Sequence, residues 1–179
     1  MERYWGEAKY LLEALLLKAQ DQDENGMDLF FTSGSVKVQG KESRSKFLGS
    51  FKDNPFTAAM NDPGAQPIKN NFTDMRKPLS KIFDAYLDEA RRAKRGSFGY
   101  ESRDLTLLVL TDGLWDGMRD KEGVKDLIVK FVKALRDIVG VLKINQRPVS
   151  IEFIQFGDNE DATYRLWTLD NELVYEGIP

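Results

Sequence analysis

Asp112 and Gly113 follow the run Leu105-Thr106-Leu107-Leu108-Val109-Leu110-Thr111, which places a carboxylate where a buried strand ends. In open α/β sheets ligands bind in the crevice beyond the carboxyl ends of the strands, and a glycine there lets backbone approach closely. The same two residue types also build a plain turn, with Asp capping the segment that follows. Thr73-Asp74 is a second constellation, ahead of an amphipathic helix. There Thr serves as an N-cap, and a loop hydroxyl can also ligate a hard cation. Asp116, Asp120 and Glu122 make the stretch after Gly113 acidic, as befits a solvated loop entering a helix whose dipole favours negative charge. Trp115 beside the crevice either packs over the sheet end or offers an aromatic contact to a partner.

Much other chemistry is excluded. The 179 residues contain no Cys and no His, so disulfides, thiolate catalysis, Cys-type zinc sites and imidazole bases are absent. Neither Gly-x-x-x-x-Gly-Lys-Ser/Thr nor Gly-x-Gly-x-x-Gly occurs. A strand followed by Asp-Gly is also similar to phosphatases of the haloacid dehalogenase type, which would make Asp112 part of a magnesium-dependent site. That pattern needs a nucleophilic Asp two residues earlier and a Thr after the Gly, and Leu110 and Leu114 occupy those positions. Catalysis would rest on carboxylates, Tyr, Lys or Ser with no visible pairing, so the chain is not expected to be an enzyme.

A net charge of −3, from 26 basic and 29 acidic residues, offers no broad positive field to nucleic acid or an anionic membrane. The cluster Arg91, Arg92, Lys94, Arg95 lies at a helix C-terminus, where cations are favoured for local reasons. The first residues carry charge where a signal peptide needs an apolar core, and no apolar run approaches ~20 residues. The expectation is an intracellular, cytoplasmic chain.

These residues must be positioned by regular elements. Tyr4, Trp5, Ala8, Leu11, Leu12, Leu15, Leu16 and Ala19 recur at helical spacing over 3–20. Met27–Thr32 reads as a short strand, Ser33-Gly34 as a tight turn and Ser35–Gln39 as its antiparallel partner. Weak helical character at 43–53 gives way to an irregular surface loop over 53–71, dense in Asn, Asp, Pro and Gly. Leu79, Ile82, Phe83, Tyr86, Leu87 and Ala90 predict a second helix, stopped at Gly96. Val124, Leu127, Ile128, Phe131, Val132, Leu135, Ile138 and Val139 predict a third, and Val149–Phe156 a long strand. The last twenty residues begin as a short polar segment around Trp167 and Leu169. Helices alternating with strands imply one α/β domain over 1–179. Its sheet is open, doubly wound and mostly parallel, with an antiparallel edge hairpin and helices on both faces.

With Thr73 as the loop Thr and Thr111-Asp112-Gly113 closing a buried strand, the chain resembles the von Willebrand factor A-type domain. That family holds one Mg²⁺ at the top of the sheet with a strand ending Asp-x-Ser-x-Ser, a loop Thr and the closing Asp. Nothing here matches Asp-x-Ser-x-Ser. Lys41-Glu42-Ser43-Arg44-Ser45 and Phe31-Thr32-Ser33-Gly34-Ser35 have the serine spacing but not the acid. The resemblance implies a domain truncated before its central first strand and lacking its last one, with Thr73 and Asp112 as a partial metal site. Mg²⁺ binding is then weak or absent. It further implies a non-enzymatic interaction module whose contact surface includes Asp74, Gly113, Trp115 and Asp116. Its partner is another protein, engaged through an acidic side chain, and unpaired strand edges allow self-association. A fragment with no function of its own is the remaining alternative.

Overall fold

The computed structural model describes residues 1–19, 27–32, 37–38, 55–65, 73–96, 104–116, 118, 123–140 and 148–178. These divide into two compact units, Met1–Thr73 and Asp74–Pro179.

In the first unit a 3₁₀ turn, Glu2–Tyr4, runs into helix α1 (Trp5–Ala19). Ala8, Leu12 and Leu16 recur at four-residue intervals on one face, and all three are buried. Strands β1 (Leu29–Phe30) and β2 (Lys37–Val38) pair antiparallel, with Leu29 opposite Val38. The tight turn expected at Ser33-Gly34, the weak helix at 43–53 and the Lys41–Ser45 serine pair lie outside the described residues.

The stretch expected to be irregular from 53 to 71 instead contains helix α2 (Pro55–Asn61). Pro55 stands at the first helical position, where an N–H has no intrahelical partner to lose, and Thr57-Ala58-Ala59-Met60 carries no breaker. Phe56, Ala59 and Met60 form an i, i+3, i+4 face that is buried. The helix is tied to α1 by three side-chain hydrogen bonds. The Trp5 indole Nε1 donates to the Met60 carbonyl at 3.1 Å, Lys9 Nζ to Asn61 Oδ1 at 3.0 Å, and Thr57 Oγ1 to Glu13 Oε1 at 3.0 Å.

The second unit is built from helix α3 (Arg76–Lys94), strand β3 (Leu105–Thr111), helix α4 (Gly123–Val139), strand β4 (Val149–Gln155) and helix α5 (Glu160–Tyr175). It is mixed α/β. β3 and β4 pair parallel through seven residue pairs, from Leu105 opposite Val149 to Thr111 opposite Gln155. The pattern is continued beyond both ends, by Leu105 N–H to Pro148 O at 2.7 Å and Phe156 N–H to Thr111 O at 2.8 Å. Among the described residues the sheets are two-stranded, and the early hairpin pairs only within itself.

The predicted stripes of α3 and α4 meet in the core of this unit. Leu79, Phe83 and Leu87 on α3 and Val124, Ile128, Phe131, Leu135 and Ile138 on α4 are buried in one cluster. The rings of Phe83 and Phe131 stack with centroids 4.1 Å apart, and Tyr86 meets Phe131 edge-on at 6.0 Å. Alternate strand residues pack against this cluster: Leu105, Leu107 and Val109 from β3, with Val149, Ile151 and Phe153 from β4. Val139, read as part of the stripe, is exposed at the last position of its helix.

The C-terminal stretch is a full helix, not a short polar segment. Asn159 caps it, its Oδ1 accepting from the Ala162 N–H at 3.0 Å, and Glu160 and Asp161 fill the first turn, where the dipole favours acids. Ala162, Leu166, Leu169 and Leu173 face inward. Lys125 pairs with Glu172 at 3.0 Å, and Arg136 Nη2 donates to the Gly177 carbonyl at 2.6 Å, joining α5 and the residues after it to α4. No helix among the described residues is long and apolar enough to cross a membrane.

Candidate functional site

At the carboxyl end of β3 the chain reverses through residues 111–116. Thr111 completes the inward-facing row begun by Leu105, so its side chain is buried and needs polar partners of its own. It finds them in the turn. The Thr111 hydroxyl accepts from the Gly113 N–H at 2.9 Å and from the Trp115 indole N–H at 3.1 Å. Gly113 has φ of 73°, a left-handed conformation that favours glycine.

Helix α5 closes the turn from behind. The Arg165 guanidinium donates to the Gly113 carbonyl and lies over the Trp115 ring, 5.6 Å from its centroid. Trp115 is only 3% exposed and packs against Phe153 at 5.9 Å between ring centroids. It therefore sits inside the turn, and its indole is engaged within the molecule.

What faces outward is different in kind. Leu114 and Asp116 are exposed, and Asp112 is half-buried with its Oδ1 accepting from the Leu114 N–H at 3.2 Å. Asp112 thus caps the turn locally through this oxygen. Asp120 and Glu122 lie outside the described residues.

Asp74 belongs to the entry of α3. Its Oδ1 accepts from the Arg76 N–H at 3.1 Å and Nε at 2.9 Å, and its Oδ2 from Nη2 at 3.0 Å. That forked guanidinium contact holds its carboxyl below the usual carboxylate range. Asp74 and Arg76 line one wall of an open groove of about 660 Å³ between α3 and α4, with Lys77, Lys81, Asp126 and Lys130. Thr73, half-buried, ends the first unit, and Asp112 stands in the second. The residues brought together around the turn are Thr111, Gly113, Trp115, Ala162 and Arg165.

A Mg²⁺ ion takes near-octahedral oxygen coordination and keeps its waters unless carboxylates replace them. Among the described residues no three acidic side chains gather as ligands. The Thr111 hydroxyl already accepts two donors, and one Asp112 oxygen accepts a third N–H. The Thr111 oxygen and one Asp112 oxygen are thus already engaged inside the turn.

Sequence reasoning singled out Asp112, Gly113 and Trp115 but missed the roles of Thr111 and Arg165, and Gly113 and Trp115, expected on a contact surface, are instead buried in the turn. Thr111 read as the last strand residue; its inward parity was the available signal. Arg165 reaches a carbonyl 52 positions away from a segment without a clean apolar stripe, so no local pattern pointed to it. No family model matches this chain, and no curated protein or solved structure matches it either.

Proposed function

We propose that this chain is a non-enzymatic protein-interaction module of the von Willebrand A type, its adhesion site incomplete, which presents the turn 112–116 to another protein. One observation carries the reading: the polar groups buried in this turn are engaged with one another and with Arg165, while Leu114 and Asp116 project from it. The Thr111 hydroxyl, the Trp115 indole and the Gly113 carbonyl are committed to holding the backbone. A surface held this way loses little conformational freedom when a partner docks, which favours binding. A general base or nucleophile would instead need a reactive group poised beside space for a substrate.

The test is retention of partners from a cell extract on the immobilised protein, comparing the natural chain with Leu114→Asp/Asp116→Lys, in Mg²⁺ and in EDTA. Circular dichroism confirms that the variant is folded. Proteins held by the natural chain in both buffers and released by the variant are the expected outcome. An unchanged set of retained proteins overturns the assignment to this turn, and loss in EDTA alone overturns its independence of metal.

A further inference from the structure

Helix α5 carries an unusual outer face. On the opposite side from Ala162, Leu166, Leu169 and Leu173, the positions 160, 164, 167, 171 and 174 line up at helical spacing as Glu160, Tyr164, Trp167, Asn171 and Val174. Tyr164 is 68% exposed, Trp167 61%, and Tyr175 beside them 90%. Large aromatic side chains in water are expensive to leave uncovered, and Trp and Tyr dominate the contacts that hold protein interfaces together. The Tyr164 and Trp167 rings stack, 6.1 Å between centroids and 27° between planes, so part of this surface is already ordered.

Its electrostatics select the occupant. Glu160, Asp161 and Asp170 are exposed on or beside the aromatic row. Arg165 is the one cation within α5, and it is turned to the Gly113 carbonyl and the Trp115 ring. The outer face therefore offers aromatic rings bordered by carboxylates, a surface that attracts ammonium and guanidinium groups by charge and by their affinity for ring faces. A second copy of the chain is the poorer fit. Two-fold packing sets the same patch against itself, which would bring acid against acid along both edges.

We propose that the outer face of α5 binds a Lys- or Arg-rich amphipathic segment of another protein, whose apolar side covers Trp167 and Tyr164 while its cations meet Glu160, Asp161 and Asp170. The surface is distinct from the turn 112–116, and the binding stands whether or not that turn is a contact.

The experiment measures fluorescence anisotropy of a labelled peptide with Leu and Lys at helical spacing, titrated with the full chain at about 0.15 M salt. The matching Leu and Glu peptide is the control. Saturable binding of the basic peptide is expected, weakened at least about tenfold by Trp167→Ala and also weakened by Tyr164→Ser. Glu160→Lys/Asp170→Lys is expected to weaken it several-fold and to flatten its salt dependence. All of these positions are exposed, and circular dichroism verifies the fold of each variant. Equal binding of the acidic peptide, or basic-peptide affinity unchanged in Trp167→Ala, overturns the proposal. A concentration-dependent dimer in sedimentation that Trp167→Ala abolishes overturns it in favour of a second copy.

Discussion

Gly113 stands so close to Ala162 that a Cβ built on the glycine would lie 2.6 Å from the Ala162 Cβ. Two constraints coincide at this position, since Gly113 also has φ of 73°. Gly96, at φ of 68°, meets the second constraint alone, with open space around it. Alanine at Gly96 should cost about 1–2 kcal/mol for the left-handed backbone. Alanine at Gly113 should add about 1–3 kcal/mol of overpacking. Urea denaturation of the two variants measures the difference, and equal losses would mean that α5 gives way freely at Ala162.

Thr111→Val keeps the shape of the buried side chain and removes the acceptor shared by the Gly113 N–H and the Trp115 indole. Two donors then lose their partner in a dry site, each at about 1–3 kcal/mol. Thr111→Ser keeps the oxygen and should lose much less. Denaturation midpoints followed by tryptophan fluorescence separate the cases; a Val variant as stable as the Ser variant would mean that the two hydrogen bonds contribute nothing net.

Phe131 is packed face-to-face with Phe83 and edge-on with Tyr86, at the junction of α3 and α4. Phe131→Ala should destabilise the chain by about 3–5 kcal/mol, through lost burial and the cavity left behind. Phe131→Leu, which fills more of that space, should cost less. Calorimetry tests the order of the three proteins.

Tyr86 is half-buried beside this cluster and donates its hydroxyl to the Pro148 carbonyl at 3.2 Å. Burial, with the negative charges of Asp104 and Glu89, pushes its pKa from 10.0 up to about 12. The folded state therefore holds this proton more tightly than the unfolded chain does. The resulting stability is fully present below pH 10.0 and is lost as pH rises through about 12. Phenolate absorbance should show one tyrosine titrating late, absent in Tyr86→Phe, and the alkaline loss of stability in this window should shrink in that variant. A late tyrosine that persists in Tyr86→Phe would assign the effect to another residue.

Where an apolar stripe was narrow, the sequence was enough. α3 and α4 bury one face and solvate the other, so their residues recur at 3, 4 and 7 positions with polar residues between. α5 defeats the same reasoning because Tyr164, Trp167, Val174 and Tyr175 place apolar groups opposite Leu166, Leu169 and Leu173. Apolar residues all round the helix leave no single stripe to detect. α2 was hidden by its ends, since Asn54 before it, Pro55 at its first position and Asp62, Pro63 and Gly64 after it signal turns more strongly than one buried triad signals a helix. At the turn, Asp112 and Gly113 were visible from strand-end chemistry. The supports from Thr111 and Arg165 depend on side-chain parity and on a contact far away in sequence.

The register of β3 against β4 also bears on how the chain is made. A parallel pair cannot zip up from a hairpin, and its second member here is synthesised only after the whole of α4. During translation, the row Leu105, Leu107 and Val109 emerges from the ribosome well before Val149, Ile151 and Phe153 exist to lie beside it. Over that interval the backbone edge of β3 that will receive β4 stays unpaired, the kind of surface that chaperones shield and that crowded intermediates use to aggregate.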